Sequence, residues 1–218
     1  MIADEVLCGT GRTGEYLALN HWGVRADIVE FAKGLAFGYS PLEAVVAKEE
    51  LEKAVLDDGG FMHGYTYAGN PMACAAGKAV LEVLLEENLM QRAKEQGAKL
   101  RAGLEELQQQ FEFIGDVRGK GLLLALELVA NCETWEVLPQ AWNAHSRIVD
   151  LAYEEKLILY SRRTRGGYSG DHLMVCPPLC INDGELDELL LKLERTLIKF
   201  ASEHKLTTNL KSPPSIQH

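Results

Sequence analysis

Residues 1–14 read MIADEVLCGTGRTG, an apolar stretch followed by a glycine-rich turn, and this pattern is typical of an α/β fold. Three glycines have the G-x-G-x-x-G spacing of a dinucleotide-binding turn: Gly9, Gly11 and Gly14. Such a turn follows a strand that is apolar on both faces, because that strand lies inside a parallel sheet. Asp4 and Glu5 interrupt the apolar stretch. Dinucleotide binding therefore stays a remote alternative, and the turn needs another explanation.

The charge of the chain argues against several classes of partner. The 218 residues include 22 basic and 32 acidic ones, a net charge of −10, and such a surface repels nucleic acids and anionic membranes. No apolar run approaches the roughly 20 residues of a membrane span, and no signal-peptide pattern is present, so we expect a cytoplasmic location. The five cysteines form no C-x-x-C pair and the histidines show no ligand spacing, so we expect no disulfide framework and no metal site.

Hydrophobic periodicity predicts the elements of the chain. Short strands are expected at residues 1–8, 27–31, 44–47, 122–128 and near 157–160. Helices are expected from Pro71 onward, at 89–110, near 142–155, and from Leu186 to Phe200. Asn70 and Asn182 are candidate caps, the latter in a capping box with Glu185. Glycines at 115, 119 and 121 predict a break in regular structure between the helix at 89–110 and the strand at 122–128.

Asp4 and Lys33 are the candidate functional pair. A carboxylate that stays ionised at the end of a buried strand needs a permanent positive partner. One possibility is Arg12 or Lys33 in an ordinary ion pair, and another is the protonated ring nitrogen of a pyridine cofactor. Such a cofactor also needs a lysine to hold its aldehyde as a Schiff base, in a turn among small residues. Lys33 has this setting in FAKGLAFGYSP, with Gly34 and Gly38 close by.

Three separated stretches carry a family resemblance. IADEVLCGTGRTG (residues 2–14), DIVEFAKGLAFGYSPLEAVVA (27–47) and HGYTYAGNPMACAAG (63–77) look like the C-terminal half of a class III aminotransferase, in the same order and spacing. These enzymes depend on pyridoxal phosphate and have fold type I. The resemblance reaches to about residue 200.

The resemblance implies a domain organisation. Residues 1–88 would be the C-terminal part of an α/β large domain that binds the cofactor. Residues 89–206 would form a small α+β C-terminal domain, and residues 207–218 a flexible tail, since they are polar and contain Pro213-Pro214.

The resemblance also implies which residues meet the cofactor. Asp4 would pair with the ring nitrogen, and Val6 would pack on a face of the ring. Lys33 would form the Schiff base and move the substrate proton. Thr66 would reach the cofactor phosphate of the neighbouring subunit, which implies a homodimer with shared sites. The implied reaction is ping-pong transfer of an amino group from an amine or ω-amino acid to an oxo acid such as pyruvate.

Substrate recognition departs from the family pattern. The family commonly has an arginine for a substrate carboxylate three residues ahead of the PPL motif at 177–179, and here that position is Met174. Arg163 and Arg165 could replace it, although arginines in a glycine-rich loop are often simply solvated. Tyr65 is a further candidate for substrate binding. The pattern favours the branch that uses ω-amino acids or amines with pyruvate.

Roughly half of a family member would precede the Asp4 motif, and that half supplies the cradle for the cofactor phosphate. Its absence here leaves two interpretations. In the first, the chain is an aminotransferase half that works when the missing half complements it. In the second, it is a truncated, non-catalytic product that acts through association with another chain. An uncovered first strand would have exposed edges in both cases.

Overall fold

The computed structural model describes residues 1–209 of the chain. The chain divides into two compact units: the first is Met1–Lys94, and the second starts at Glu95. The domain limits given above remain a prediction. At the start of the predicted tail, the Asn209 N–H donates to the Gln110 carbonyl at 2.8 Å. Residues 210–218, with Pro213-Pro214, lie outside the described residues.

The first unit contains a small mixed sheet. Its strands lie in the order β1-β2-β3, with β1 parallel and β3 antiparallel to β2: Ile2–Asp4, Ile28–Phe31 and Ala44–Ala47. β1 is shorter than the predicted strand 1–8 because the chain turns after Asp4, where the Gly9 N–H donates back to the Glu5 carbonyl at 3.0 Å. Two helices follow the sheet: α1, Glu49–Asp57, and α2, Pro71–Glu86.

Helix α2 begins where the sequence predicts. The Asn70 side-chain oxygen accepts the N–H groups of Met72 and Ala73 at 3.0 and 3.2 Å. Pro71 occupies the first helical position, where its missing N–H costs nothing. Asn70 and Pro71 therefore fix the start of α2.

The second unit is built on an antiparallel sheet in the order β4-β5-β7-β6. In chain order, β4 is Ile114–Lys120, β5 is Leu123–Leu128, β6 is Tyr160–Arg163 and β7 is Asp171–Val175. Three helices accompany this sheet. α3 spans Leu89–Gln110 and starts in the first unit, α4 spans Ala144–Glu154, and α5 spans Asp183–His204. Alternate residues of β5 are buried, and the fully buried rings of Phe111, Phe113 and Phe200 contact one another in the core.

The structure corrects four sequence predictions. The strand expected near 157–160 lies at Tyr160–Arg163, where it pairs with β7. Leu157 and Leu159 are buried but precede the strand. The glycine-rich stretch predicted as a break forms β4. β7 and α1 had no predicted counterpart. For β4, β6 and β7 the pairing with neighbouring strands, rather than local preference, decides the conformation. α1 buries none of its residues.

Residues 1–209 show neither a helix suited to a membrane nor a cluster of metal ligands. Among residues 1–209, no helix is both long and apolar enough to cross a bilayer. The same residues contain no group of three or more His, Cys, Asp or Glu side chains placed to hold a metal ion.

The predicted capping box at the start of α5 is confirmed. The Asn182 side chain accepts the Glu185 N–H at 3.0 Å, and the Glu185 carboxylate accepts the Asn182 N–H at 2.9 Å. We expect Asn182→Ala to lower the free energy of unfolding by about 1 kcal/mol, because the Glu185 N–H loses its side-chain acceptor. Urea denaturation measures this change. Glu185→Gln is the matched control, since glutamine keeps the reciprocal bond; an equal loss in both variants would contradict the capping account.

Candidate active site

Asp4 and Lys33 lie at the same end of the first sheet. Asp4 is the last residue of β1 and pairs in register with Glu30 of β2. β1 and β2 are parallel, so their carboxyl ends meet at one edge, and Lys33 follows β2 after a single intervening residue. The carboxyl ends of parallel strands are where α/β proteins place their ligands. The fold thus brings the two predicted residues to one edge of the sheet.

Asp4 is exposed, unlike the buried carboxylate that the sequence suggested. One oxygen of its carboxylate accepts the Val6 N–H at 3.0 Å, and Val6 itself is half-buried. Consecutive strand residues face opposite sides, so Ala3 and Glu5 are buried while Asp4 faces solvent. The Asp4 carboxylate is therefore open to a ligand.

Glu5 is the acid that the first unit buries, with 2% of its surface exposed. Its carboxylate accepts the N–H groups of Ala18 and Leu19 at 2.9 and 3.0 Å. It also accepts a bond from the Cys8 thiol at 3.3 Å. Sequence reasoning missed this role, although an acid directly ahead of a glycine turn was a visible signal.

The glycine turn folds around Glu5. A Cβ at Gly9 would lie 2.7 Å from the Glu5 carbonyl oxygen, so only glycine fits there. The turn leads into a short 3₁₀ segment, Ala18–Trp22, whereas a dinucleotide-binding turn opens an α-helix whose N–H groups meet the pyrophosphate. In this chain the first N–H groups of the 3₁₀ segment, those of Ala18 and Leu19, donate to the Glu5 carboxylate instead. The remote dinucleotide alternative is therefore wrong.

Cys8 is expected to be an unreactive thiol. Burial, followed by the bond to Glu5, raises the pKa of the Cys8 thiol to about 11. The thiolate is the reactive form, so alkylation of Cys8 near neutral pH should be slower by about 100-fold than for an ordinary thiol. Its rate should rise as the pH approaches 11. Mass spectrometry after iodoacetamide treatment checks this, with exposed Cys74 as the control in the same unit; equal rates for the two cysteines at pH 8 would contradict it.

Lys33 is exposed and has a strained backbone, with φ +40° in the left-handed region. It opens the short 3₁₀ turn Lys33–Leu35. Backbone conformations of this kind persist where neighbouring structure enforces them, and they concentrate at functional sites. Lys33 also lines a cavity of about 330 Å³ together with Gly38, Ser40, Pro41 and Leu42.

Tyr65 and Thr66 line a larger cavity of about 830 Å³. Three residues, Ser40, Pro41 and Leu42, line both this cavity and the one at Lys33. The structure therefore brings the segment around Thr66 next to the turn that follows Lys33. Asp4 and Val6 line neither cavity.

The predicted substrate arginines lie in the second unit. Arg163 ends β6, and its guanidinium holds the buried Asp171 carboxylate through bonds of 2.7 and 3.1 Å. This pair raises the pKa of Arg163 further above its ordinary value. Arg165 is exposed, with φ +49°. Met174 lies half-buried on β7. Arg163 thus has a structural partner within its own unit, and its substrate role stays a prediction.

The match to a family model decides the identity of the fold. The model for class III aminotransferases matches residues 1–197 of the chain. The chain belongs to this family. Its resemblance to class III aminotransferases, argued from three motifs, is confirmed.

Individual aminotransferases match the chain over less than half of their own length. The 5-aminovalerate aminotransferase DavT of Pseudomonas putida is 41% identical over 201 residues, which is 92% of this chain and 44% of DavT. A transaminase from the marine bacterium Virgibacillus has a TM-score of 0.87 at 31% identity, over 93% of this chain and 46% of its own. An amine transaminase from an uncultivated Pseudomonas species, determined with PLP bound, has a TM-score of 0.82 at 37% identity, over 91% and 44%. The predicted α/β fold is confirmed by these likenesses.

The residues at the ends of β1 and β2 fit pyridoxal phosphate, the cofactor of class III aminotransferases. The cofactor needs a carboxylate at its ring nitrogen and an amine at its aldehyde. Asp4 and Lys33 are a carboxylate and an amine that could supply these groups, since both are exposed and both lie at one edge of the sheet. The donor set of this chain therefore suits the cofactor of its family.

Proposed function

We propose that this chain provides the lysine-bearing half of a pyridoxal-phosphate-dependent aminotransferase. The observation that carries the proposal is the parallel pairing of β1 with β2, which brings Asp4 and Lys33 to one edge of the sheet. In the proposed reaction an amino group passes from an amine or ω-amino acid to an oxo acid such as pyruvate. Domain limits at residues 88 and 206 and a cytoplasmic location stay predictions.

Asp4 and Lys33 divide the chemistry between them. When bound, the cofactor supplies an electron sink for the carbanion formed as the substrate loses its α-proton. Asp4 would keep the ring nitrogen protonated, because a nearby carboxylate favours the charged form of a base. Lys33 would hold the aldehyde carbon between turnovers and, once displaced by the substrate amine, would carry the proton at its Nζ atom. Val6, next to Asp4, would pack against the ring.

Thr66 and Tyr65 would serve a site shared between two subunits. The segment around them exposes large apolar side chains, with exposed fractions of 93% at Met62 and 82% at Tyr67. Contiguous exposed apolar surface of this kind is typical of a protein interface. We infer a homodimer in which this segment lies against the partner subunit, with Thr66 at the partner's cofactor phosphate.

The substrate class follows from the missing arginine. Met174 offers no positive charge for the carboxylate next to the reacting carbon of an α-amino acid, so amino donors without that group, or with a carboxylate farther away, would be favoured. The carboxylate of an oxo acid acceptor such as pyruvate would need another cation. DavT, a relative at 41% identity, is named for an ω-amino acid substrate. Arg165 is the better candidate of the two predicted arginines for a distant carboxylate, because it is exposed whereas Arg163 is paired with Asp171.

A truncated, non-catalytic chain is the second candidate, and the exposed apolar surface of the first unit suits its association with another chain. Ile2 of β1 and Val45 and Val46 of β3 are exposed by 56 to 68%, and since consecutive strand residues face opposite sides, both faces of the small sheet carry exposed apolar side chains. In this case the chain would associate with another chain and transfer no amino group.

The two half-reactions of transamination separate these candidates. The 218-residue chain with pyridoxal phosphate should absorb in the visible range. Addition of 5-aminovalerate without an acceptor should bleach this band, and pyruvate should restore it, because the two halves of a ping-pong reaction run separately. A band that forms but does not respond to any amine donor would favour the non-catalytic candidate.

A further inference from the structure

We infer that Gly77 of α2 and Thr10 of the glycine turn are positioning residues that hold the strained turn at Lys33 and so set the direction of its amine. This inference rests on the proposed function of Lys33. It assigns a purpose to the glycine turn, which the sequence singled out and which binds no dinucleotide.

The turn after β2 contains backbone conformations that need outside support. Lys33 and Phe37 have φ values of +40° and +45°, and Gly38 has φ +83°. Only glycine adopts such values readily. A turn with two such non-glycine residues relaxes unless packing holds it.

The glycine turn supplies the first contact. A Cβ at Gly34, directly after Lys33, would lie 3.2 Å from the Cβ of Thr10. Thr10 is 1% exposed, and its N–H donates to the Tyr16 carbonyl at 2.8 Å. Because Thr10 is buried and its backbone is hydrogen-bonded, its side chain has little freedom to move away from Gly34.

Helix α2 supplies the second contact. A Cβ at Gly77 would lie 2.4 Å from a methyl group of Leu42 and 3.4 Å from the carbonyl oxygen of Leu35. Leu35 belongs to the Lys33 turn and is buried. The Leu35 carbonyl would be at ordinary van der Waals distance, so the close approach that Gly77 permits is to the Leu42 side chain, which lines the cavity at Lys33. An added methyl group at position 77 would therefore act on the Lys33 turn through Leu42.

The test compares Gly77→Ala with a matched control in the second unit. A Cβ at Gly103 of α3 would also meet a leucine methyl, that of Leu190, at 2.4 Å. Both substitutions add one methyl group to a helix opposite a leucine side chain. At Gly103 that methyl group would meet three atoms of Leu190 within 3.2 Å, so Gly103→Ala should lower the melting temperature at least as much as Gly77→Ala. Only Gly77→Ala should move Lys33.

Two measurements follow the Lys33 amine in the full chain. After incubation with pyridoxal phosphate and reduction with borohydride, mass spectrometry gives the label on Lys33 relative to exposed Lys78. We expect Gly77→Ala to lower this ratio about tenfold, because small displacements of a reacting group are costly. Limited acetylation, which needs no cofactor, should show a changed Lys33 rate, because a displaced turn alters the exposure of the Lys33 amine.

The outcomes distinguish this inference from the proposed function. Unchanged acetylation of Lys33 in Gly77→Ala, or an equal change in Gly103→Ala, would overturn the positioning role whether or not the cofactor binds. Labelling of wild-type Lys33 no greater than that of Lys78 would instead overturn the proposed function. The double variant Gly77→Ala with Leu42→Ala removes the methyl group that the new Cβ would meet, and it should recover the Lys33 ratio if the contact acts as inferred.

Discussion

Lys33→Ala is expected to abolish the visible absorbance that the chain acquires with pyridoxal phosphate. The physical reason is that the band requires a covalent bond between the cofactor aldehyde and an amine, and Lys33 is the amine at the sheet edge that also holds Asp4. Transamination should fall by at least about a thousandfold, since the same amine carries the substrate proton. Absorbance and the rate of the half-reaction with an amine donor measure the two effects.

Lys78→Ala is the matched control for this change. Lys78 lies on α2 in the same unit, exposed, and forms an ion pair with Glu82 at 3.5 Å. Its removal should leave the band unchanged. A band that persists in Lys33→Ala, or one lost equally in both variants, would show that Lys33 does not hold the cofactor.

Glu5→Ala is expected to destabilise the first unit strongly. The substitution leaves the N–H groups of Ala18 and Leu19 without the carboxylate that accepts them at 2.9 and 3.0 Å. Each unsatisfied buried N–H costs about 1–3 kcal/mol, and that of Leu19 is only partly buried, so the free energy of unfolding should fall by roughly 2–5 kcal/mol. Urea denaturation followed by circular dichroism measures this loss.

The neighbouring acid provides the contrast. Asp4 is exposed and its carboxylate accepts only a local bond from the Val6 N–H among the bonds described. Asp4→Ala should therefore cost less than about 1 kcal/mol of stability while it removes the partner of the ring nitrogen. A large loss of stability in Asp4→Ala with little loss in Glu5→Ala would mean that the two acids have been assigned the wrong roles.

The parts of the fold that could be predicted are those fixed by adjacent residues. The starts of α2 and α5 depend on Asn70 with Pro71 and on Asn182 with Glu185, which are signals contained within four residues. Caps and turns of this kind can be predicted because all the interacting groups are close in sequence.

The missed features depend on contacts between different elements of the fold rather than on a single cap or turn. β4 contains Gly119, where a Cβ would lie 2.0 Å from the Leu123 carbonyl oxygen, so this glycine serves the close approach of β4 and β5 rather than a break. The burial of Glu5 depends on amides at positions 18 and 19. The partner of Arg163 is Asp171 on β7, a strand that the sequence did not predict. Local preference contains no information on such contacts.

The most direct test of the account is the protonation state of the ring nitrogen of bound pyridoxal phosphate. In the full chain carrying ¹⁵N-labelled cofactor at about pH 8, the nitrogen resonance should be that of a protonated pyridine, because Asp4 stabilises the charged form. In Asp4→Asn the resonance should move to that of a neutral pyridine. The same resonance in both proteins would show that Asp4 and Lys33 do not hold one ring between them.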